Sequence, residues 1–295
     1  LPPPASIRPV VPLQYIQSIR LVHALAEATI PVAVAAQDAG KFALLAKHTG
    51  VHFHPITEQT RTLPDLHISH PSPETRIGRI ARPLIFPHAI IDRCRSFWAR
   101  DRSDRFTFAG LVTERRLELL RTWIDRNLDL PERWHPHRSG TARRIADHVR
   151  RKLGRPPAGT SERIGHLLLW SSTRGRVFPG KAWDEDYFKL MACAQFVLCP
   201  SGDFVWSYRF FEAVLCGAIP IVEESCPAYE GFRFHAFADD ARPLVWSPEA
   251  AEANFALACN RLTVPLAELD AEVQRLLDAA PAQPPAPQSP PPVRP

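Results

Sequence analysis

An arginine and a glutamate one helical turn apart, Arg209 and Glu212, have the side-chain types needed to bind a phosphorylated sugar. A guanidinium in the first turn of a helix can make a bidentate, charge-assisted contact to phosphate. A carboxylate one turn later can accept hydrogen bonds from sugar hydroxyls, as acidic residues do for ribose in dinucleotide sites. The pair could therefore hold a diphosphate and a ribose side by side. The alternative is a surface ion pair of a few tenths of a kcal/mol.

The segment around this pair, residues 196–224, reads as strand, turn, helix and strand. Phe196–Leu198 is a short apolar run typical of a buried strand, and Pro200–Asp203 favours a tight turn. A helix is predicted over Ser207–Cys216, ended by Gly217, before a strand over Ile219–Val222. Such a unit points free backbone N–H groups and a positive helix end beyond the sheet. The sequence therefore predicts a phosphate site there.

Three motifs in this segment resemble the C-terminal signature of exostosin-like glycosyltransferases. They are Cys199-Pro200-Ser201-Gly202, then Ser207-Tyr208-Arg209-Phe210-Phe211-Glu212-Ala213, then Cys216-Gly217-Ala218-Ile219-Pro220-Ile221-Val222. The combination is much more specific than any one motif, and the tight match covers about a tenth of the chain. A looser similarity extends back to Phe106.

The resemblance implies an α/β, GT-B-like fold: two Rossmann-like, doubly wound parallel-sheet domains with the donor site in the C-terminal one. It also implies a nucleotide-sugar donor and no catalytic metal or other cofactor. Arg209 would hold the donor diphosphate and Glu212 the ribose. Ser201, Gly202 and Ser207 would line the phosphate pocket. Arg116 or Arg115, after the predicted strand Phe106–Leu111, is a second candidate for the diphosphate.

Alternating helix and strand patterns run through both halves of the chain. We predict an N-terminal Rossmann-like, acceptor-side domain over residues 1–104, short for its kind and possibly truncated. A nucleotide-sugar-binding domain is predicted over 105–280 and a disordered Pro-rich tail over 281–295. Within the first domain, residues 57–80 read as a long polar loop, and residues 84–91 as a final strand.

Four side chains in that polar segment are candidates for a general base: Asp65, His67, His70 and Glu74. Transfer with inversion needs a carboxylate or imidazole within reach of the attacking hydroxyl. The sequence does not choose among the four. It offers no metal site: Asp184-Glu185-Asp186 is typical of a helix start, and the six cysteines lack metal spacing. A basic turn, residues 171–181, adds Arg174 and Arg176 at another strand end.

The amino-acid composition indicates which classes of binding partner suit this chain. The 295 residues carry a net charge of +5 and a pI of about 9.0, without the basic blocks of a nucleic-acid binder. The mild excess of positive charge suits an acidic donor, an acidic glycan or peripheral contact with a membrane.

No stretch is long and apolar enough to span a bilayer. The chain begins at Leu1, so the native start is expected upstream. We expect a cytoplasmic or peripheral-membrane protein, or a Golgi-lumenal one if an anchor precedes residue 1.

The resemblance to exostosin-like enzymes therefore implies a glycosyltransferase of the hexosyl or pentosyl type, in polysaccharide biosynthesis or glycosylation. It would move a sugar from a nucleoside diphosphate to a hydroxyl of a glycan or lipid-linked acceptor, inverting and without metal. The alternative is a non-catalytic sugar-nucleotide or glycan-binding module that keeps the donor pocket. Turnover of a donor separates the two.

Overall fold

The first half of the chain builds a small parallel sheet covered by helices. The computed structural model describes residues 6–98, 101–131, 134, 160–172 and 176–280. In order, the strands and helices are β1 (Ile7–Pro9), α1 (Ile16–Ala26), β2 (Ala33–Val34), α2 (Ala36–Ala39), α3 (Ala43–Thr49), β3 (His54–Pro55) and β4 (Arg61–Leu63). The strands lie in the order β3-β2-β1-β4, all parallel, with β1 and β2 joined by the Ile7–Val32 bridge. This is the order of the first four strands of a Rossmann sheet.

The polar segment after β4 is not the long loop that its composition predicts. It forms an antiparallel sheet of β5 (Leu66–Ser69), β6 (Glu74–Ile77) and β7 (Ile80–Arg82). Buried Thr75 and Ile77 alternate with exposed Arg76, so one face of β6 packs inward. The prediction was wrong because the other face carries the polar side chains that suggested a loop.

The prediction of a final strand over residues 84–91 is also wrong. Leu84, Ile85 and Phe86 are buried but irregular, and the helix α4 (His88–Ser96) starts directly after Pro87. Glu27 replaces a local cap for this helix: its two carboxylate oxygens accept hydrogen bonds from the backbone N–H groups of His88 and Ala89, both at 2.8 Å. This distant partner satisfies the first helix donors, and no local pattern indicates it.

The second half of the chain builds the larger sheet. Its strands and helices, in order, are β8 (Asp104–Leu111), α5 (Glu114–Asn127), β9 (Thr160–Ile164), β10 (Leu167–Ser172), α6 (Glu185–Ala192), β11 (Ala194–Cys199), α7 (Tyr208–Leu215), β12 (Ile219–Val222), β13 (His235–Ala236), α8 (Pro248–Leu262) and α9 (Leu266–Ala279). The strand order is β13-β12-β11-β8-β10-β9, parallel except for β9 at the edge. The predicted α/β, GT-B-like class, with parallel sheets in both halves, is confirmed.

Both faces of the larger sheet are covered. Phe106, Phe108 and Leu198 face one core together with Trp123 of α5. Val197, one residue along β11, faces a second core that continues into the first half of the chain. The larger sheet is therefore a buried layer, and ligands can reach it only at its edges and strand ends.

Several smaller predictions can also be compared with the structure. Asp184 caps α6 by accepting a hydrogen bond from the Tyr187 N–H, which confirms the acidic triplet as a helix start. All six cysteines are free. Within the described ranges, no helix is long and apolar enough to cross a membrane. The predicted tail, residues 281–295, and Arg174 lie outside the described residues, and the boundary at residue 104 stays a prediction.

Candidate functional site

The strand order of the larger sheet creates a crevice between β8 and β11. The chain leaves β8 toward β10 on one side of it, and returns through α6 to β11 on the other side. Connections that diverge in this way leave a gap at the carboxyl ends of the two strands, where open α/β sheets bind ligands. The ends in question are Leu111 of β8 and Cys199 of β11. The geometry of the sheet thus indicates where a ligand would bind.

A cavity of about 450 Å³ lies at this crevice; we call it the cationic cavity. Its lining includes the predicted site residues Arg115, Arg116, Ser201, Gly202 and Ser207, together with Lys181 and His70. Three of these seven residues, Arg115, Arg116 and Lys181, are arginine or lysine, and the start of α7 adds its positive dipole end. The cavity therefore suits a polyanion such as a diphosphate.

Arg116 is the best-anchored cation of the cavity. Its Nε donates to the carbonyl oxygen of Ser201 at 2.9 Å and its Nη1 to that of Leu111 at 3.1 Å, so the guanidinium joins the ends of β8 and β11. Its Nη2 lies beside Gly202, 2.8 Å from where a Cβ would stand. Burial, and then the charge of Arg209, lower the pKa of Arg116 to about 10. Arg116 stays charged at neutral pH, and a bound anion would relieve its repulsion with Arg209.

The turn before α7 presents Ser201, Gly202 and Ser207 to the same cavity. Ser207 stands at the N-cap position, yet its Oγ is buried and has no hydrogen-bond partner within the described residues. An N-cap serine ordinarily bonds the backbone of its own helix. The free hydroxyl and the first N–H groups of α7 together form a donor-rich corner, and phosphate binding there stays a prediction.

Arg209 lies behind the cavity rather than in its lining. The side chain is 8% exposed, donates from Nε to the Ala109 carbonyl oxygen at 2.7 Å and packs over the Phe108 ring. Gly110 has φ +152°, and a Cβ there would overlap Arg209 Nη2, so this strand end requires glycine. Arg209 Nη1 is buried without a partner in the described part of the chain. Direct contact of Arg209 with a diphosphate stays a prediction.

Glu212 is almost fully buried, at 1% exposure, and does not line the cavity. Its Oε2 accepts a hydrogen bond from the Tyr187 hydroxyl at 2.8 Å and lies 3.7 Å from Arg176 Nη2. Its Oε1 lies 3.6 Å from Nη2 of Arg20, a residue of α1 with no exposed surface. The alternative of a surface Arg209–Glu212 ion pair is wrong, because both residues are buried. Ribose binding by Glu212 stays a prediction.

Arg115 lies at the solvent side of the cavity. It pairs with Glu223, the residue directly after β12, and Glu223 also accepts a hydrogen bond from the Ser201 N–H at 3.1 Å. The Glu223 carboxylate thus fixes the turn at the end of β11 while holding Arg115 nearby. Because Arg115 is more than half exposed, with a side-chain exposure of 59%, it can reorient toward an incoming anion.

Lys181 is the basic lining residue that the sequence interpretation missed. It follows the turn after β10, and burial together with the charge of Arg176 lowers its pKa. The sequence analysis named the arginines of that turn instead, although Lys181 belongs to the same strand-end segment. Lys181 could have been predicted from its position after the parallel strand β10, because ligands bind at such strand ends.

The four general-base candidates occupy different places on the β5–β6 hairpin. His70 begins the hairpin turn and lines the cationic cavity. Asp65 is at the opposite end of β5, with φ +56° and an exposed side chain. His67 is exposed in mid-strand opposite Arg76, and Glu74 pairs with Ser69 across the ladder. Of these four described residues, only His70 lines the cavity.

Gln17 of α1 holds this hairpin in place. Its buried Nε2 donates to the carbonyl oxygens of Ser69 and Glu74, at 3.3 and 3.2 Å, and contacts Thr75 Oγ1 at 3.0 Å. A Gln17→Leu variant should lose about 1–3 kcal/mol of stability, because the hairpin acceptors would lie buried without a donor. Hydrogen exchange of the β6 amides should be faster than in the wild type, whereas exchange in β11 should change less. An equal change in the amide exchange rates of β6 and β11 would contradict a local role for Gln17.

Metal ligands do not cluster in the described part of the chain: no group of three or more His, Cys, Asp or Glu side chains is close enough to hold an ion. Metal independence itself stays a prediction that an experiment must test.

Comparisons with known proteins give distant matches. No family model matches this chain, and no curated protein does. Among solved structures, the GtfA/B complex matches with a TM-score of 0.34 and 12% identity, over 84% of this chain and 44% of that chain. HepE (Alr3699) from Anabaena, solved with UDP, matches with a TM-score of 0.33 and 12% identity, over 93% of this chain and 72% of that chain.

Sucrose-phosphate synthase (tll1590) from Thermosynechococcus elongatus matches with a TM-score of 0.25 and 15% identity, over 88% of this chain and 56% of that chain. This chain thus spans less than two thirds of the length of the GtfA/B and synthase chains. Because all three TM-scores are below 0.5, we derive the site from this chain's own residues. The exostosin family itself stays a prediction from the motifs.

Proposed function

We propose that this chain is a glycosyltransferase of the exostosin-like type that takes its sugar from a nucleoside-diphosphate donor. The observation that carries the proposal is the cationic cavity at the β8–β11 crevice. There Arg116, Lys181 and Arg115 surround the donor-rich start of α7. Breaking a sugar–diphosphate bond leaves negative charge on the diphosphate, and preorganised cations and N–H groups stabilise that charge.

The division of roles follows from burial. Arg116, fixed by two carbonyl oxygens, would bind the diphosphate directly. Arg209, buried against Ala109 and Gly110, would act on the phosphates through its charge and by shaping the strand end. With Lys181 and the α7 amides supplying positive charge, the reaction needs no metal ion, so activity in EDTA is expected.

An acceptor has room next to the donor. A second cavity, about 780 Å³, shares five lining residues with the cationic cavity: Arg115, Gly202, Asp203, Phe204 and Trp206. We call it the acceptor cavity. Its lining includes four prolines and two aromatic side chains, and Trp206 is fixed by a 2.8 Å hydrogen bond from its Nε1 to the His70 carbonyl oxygen. Aromatic faces are suited to sugar rings, so a glycan or glycolipid hydroxyl could approach the donor from this side.

The donor site can be tested with a thermal-shift panel of nucleoside diphosphates and nucleotide sugars in EDTA. One nucleotide at 100 times its Kd should stabilise the wild type by about 2.7 kcal/mol, which is roughly 4 °C for a protein of this size. Arg116→Ala should weaken that nucleotide by about 10- to 150-fold, the loss of a charge-assisted interaction of about 1.5–3 kcal/mol.

A matched control is Arg242→Ala, since Arg242 is exposed and paired only locally with Asp240 among the described residues. It should bind nucleotide like the wild type. No shift with any nucleotide, or equal shifts in the wild type and Arg116→Ala, would contradict the proposed donor site. Nucleotide binding without sugar release or transfer would instead favour the non-catalytic binding module.

A further inference from the structure

The tip of the β5–β6 hairpin brings one imidazole to the cationic cavity. Ser69 pairs with Glu74 in the last register of the hairpin, so His70 begins the connecting turn. The His70 ring packs against Tyr15 with centroids 4.1 Å apart, and the His70 carbonyl oxygen accepts a hydrogen bond from Trp206. Tyr15, at the N-cap of α1, thus contacts the ring, while Trp206, in the turn before α7, fixes the backbone of the same residue.

The position of His70 between the two cavities is the next observation. His70 lines the cationic cavity, while the following turn residues Pro71, Ser72 and Pro73 line the acceptor cavity. Trp206 lines both. A hydroxyl that enters from the acceptor cavity toward a donor on Arg116 would therefore pass the His70 ring.

Burial and one neighbouring cation lower the proton affinity of the His70 imidazole. Tyr15 and Tyr208 are uncharged neighbours in the lining, and the charged lining residues are Lys181, Arg115, Arg116 and Asp203. Burial, and then the charge of Lys181, lower the pKa of His70 below its ordinary value. A neutral imidazole at pH 7 can accept a proton.

We propose that His70 is the general base that accepts the proton of the acceptor hydroxyl. This inference rests on the proposed glycosyltransferase function. The acceptor oxygen forms a bond to the anomeric carbon of the donor sugar as its proton passes to a His70 ring nitrogen. The bond between that carbon and the diphosphate oxygen breaks, and its electron pair leaves with the diphosphate beside Arg116 and Lys181. The proton on His70 is then released to water.

The test uses His70→Asn with His67→Asn as the matched control, since His67 is exposed on the same hairpin and lines neither cavity. The probes are the nucleotide sugar identified by thermal shift, with water and with a set of simple alkyl and aryl glycosides as acceptors. Release of nucleoside diphosphate is measured from pH 5 to 9. His70→Asn should lower kcat by about 10²- to 10⁴-fold, whereas His67→Asn should match the wild type.

Two further readouts separate a base from a structural residue. Wild-type kcat should fall as the pH drops through the His70 pKa, because a protonated imidazole cannot accept the proton, and His70→Asn should lose this limb. Donor Kd should change less than threefold in His70→Asn. A kcat within threefold of wild type, or an unchanged acid limb, would overturn the role of His70 while leaving the donor site intact.

An NMR titration of the His70 ring provides a test that does not depend on turnover. The ring should titrate below 6.5, and saturation with the nucleoside diphosphate should move its resonances. A ring that titrates above 6.5 and does not respond to nucleotide would overturn the proposal. Failure of the donor site itself would appear earlier, as absence of nucleotide binding by the wild type.

Discussion

Removing the charge of Glu212 should destabilise the folded protein by about 3–5 kcal/mol, because it leaves Arg20 buried without a countercharge. Arg20 has no exposed surface, and none of its three guanidinium nitrogens has a hydrogen-bond partner within the described residues. Burial lowers the pKa of Arg20, and the charge of Glu212 acts against this. The rings of Phe86 and Phe188, 5.6 and 5.9 Å from the guanidinium carbon, offer only weaker compensation.

Glu212→Gln is the sharpest variant, since glutamine keeps the shape and can still accept the Tyr187 hydrogen bond. Urea unfolding should show a lower midpoint with an unchanged slope. In the double variant Arg20→Met/Glu212→Gln, both buried charges are gone, so part of the lost stability should return. Arg176 is 18% exposed and can turn to water, which leaves Arg20 as the main source of the cost.

The same variant decides between two roles for Glu212. If Glu212 binds the ribose, removing its charge should weaken nucleotide binding and leave the stability of the fold unchanged. If Glu212 is instead a buried countercharge between α1 and α7, removing its charge should lower stability whether or not nucleotide is present. Full stability of Glu212→Gln together with weaker nucleotide binding would contradict the structural role and favour the sequence interpretation.

Structure that depends on neighbours in the chain could be predicted from the sequence. The β11–α7–β12 unit is such a case: apolar runs, a turn and a glycine specify it locally, and its helix begins one residue from the predicted start. Parallel strands that alternate with helices then imply a site at the strand ends. Accordingly Arg116, Ser201, Gly202 and Ser207, all predicted as donor residues, line one cavity.

Burial that depends on contacts distant in sequence could not be predicted in the same way. In the helix α1, polar and charged side chains stand among the apolar ones, yet every residue from Gln17 to Leu25 is buried. The larger second half packs on the helix face that carries Arg20, and the hairpin packs on Gln17. Glu212 illustrates the same limit: its position on α7 was predictable, but the arginine that faces it lies 192 residues earlier in the chain. Helical periodicity contains no information on such a partner.

Lowering the pH should reduce the free energy of unfolding through His23, the second ionisable residue buried on α1. His23 has no exposed surface, and burial together with the charge of Arg20 lowers its pKa to about 3. The unfolded chain binds a proton near pH 6.5, whereas the folded chain does not until about pH 3. Stability is therefore complete above pH 6.5 and is lost as the pH falls, by up to about 1.4 kcal/mol per pH unit.

The measurement is the free energy of unfolding from pH 7 to 5, a window that lies above the titration of most carboxylates. Wild type should lose about 2 kcal/mol more than His23→Gln over this range, since glutamine has no proton to bind. His52→Gln is the control, because His52 is exposed, and it should follow the wild type. Parallel losses in wild type and His23→Gln would show that His23 does not set the acid sensitivity. A steeper loss of unfolding free energy in the wild type would show that the folded protein requires His23 to be neutral. The helix that contains His23, α1, also places Tyr15, its N-cap residue, at the cationic cavity.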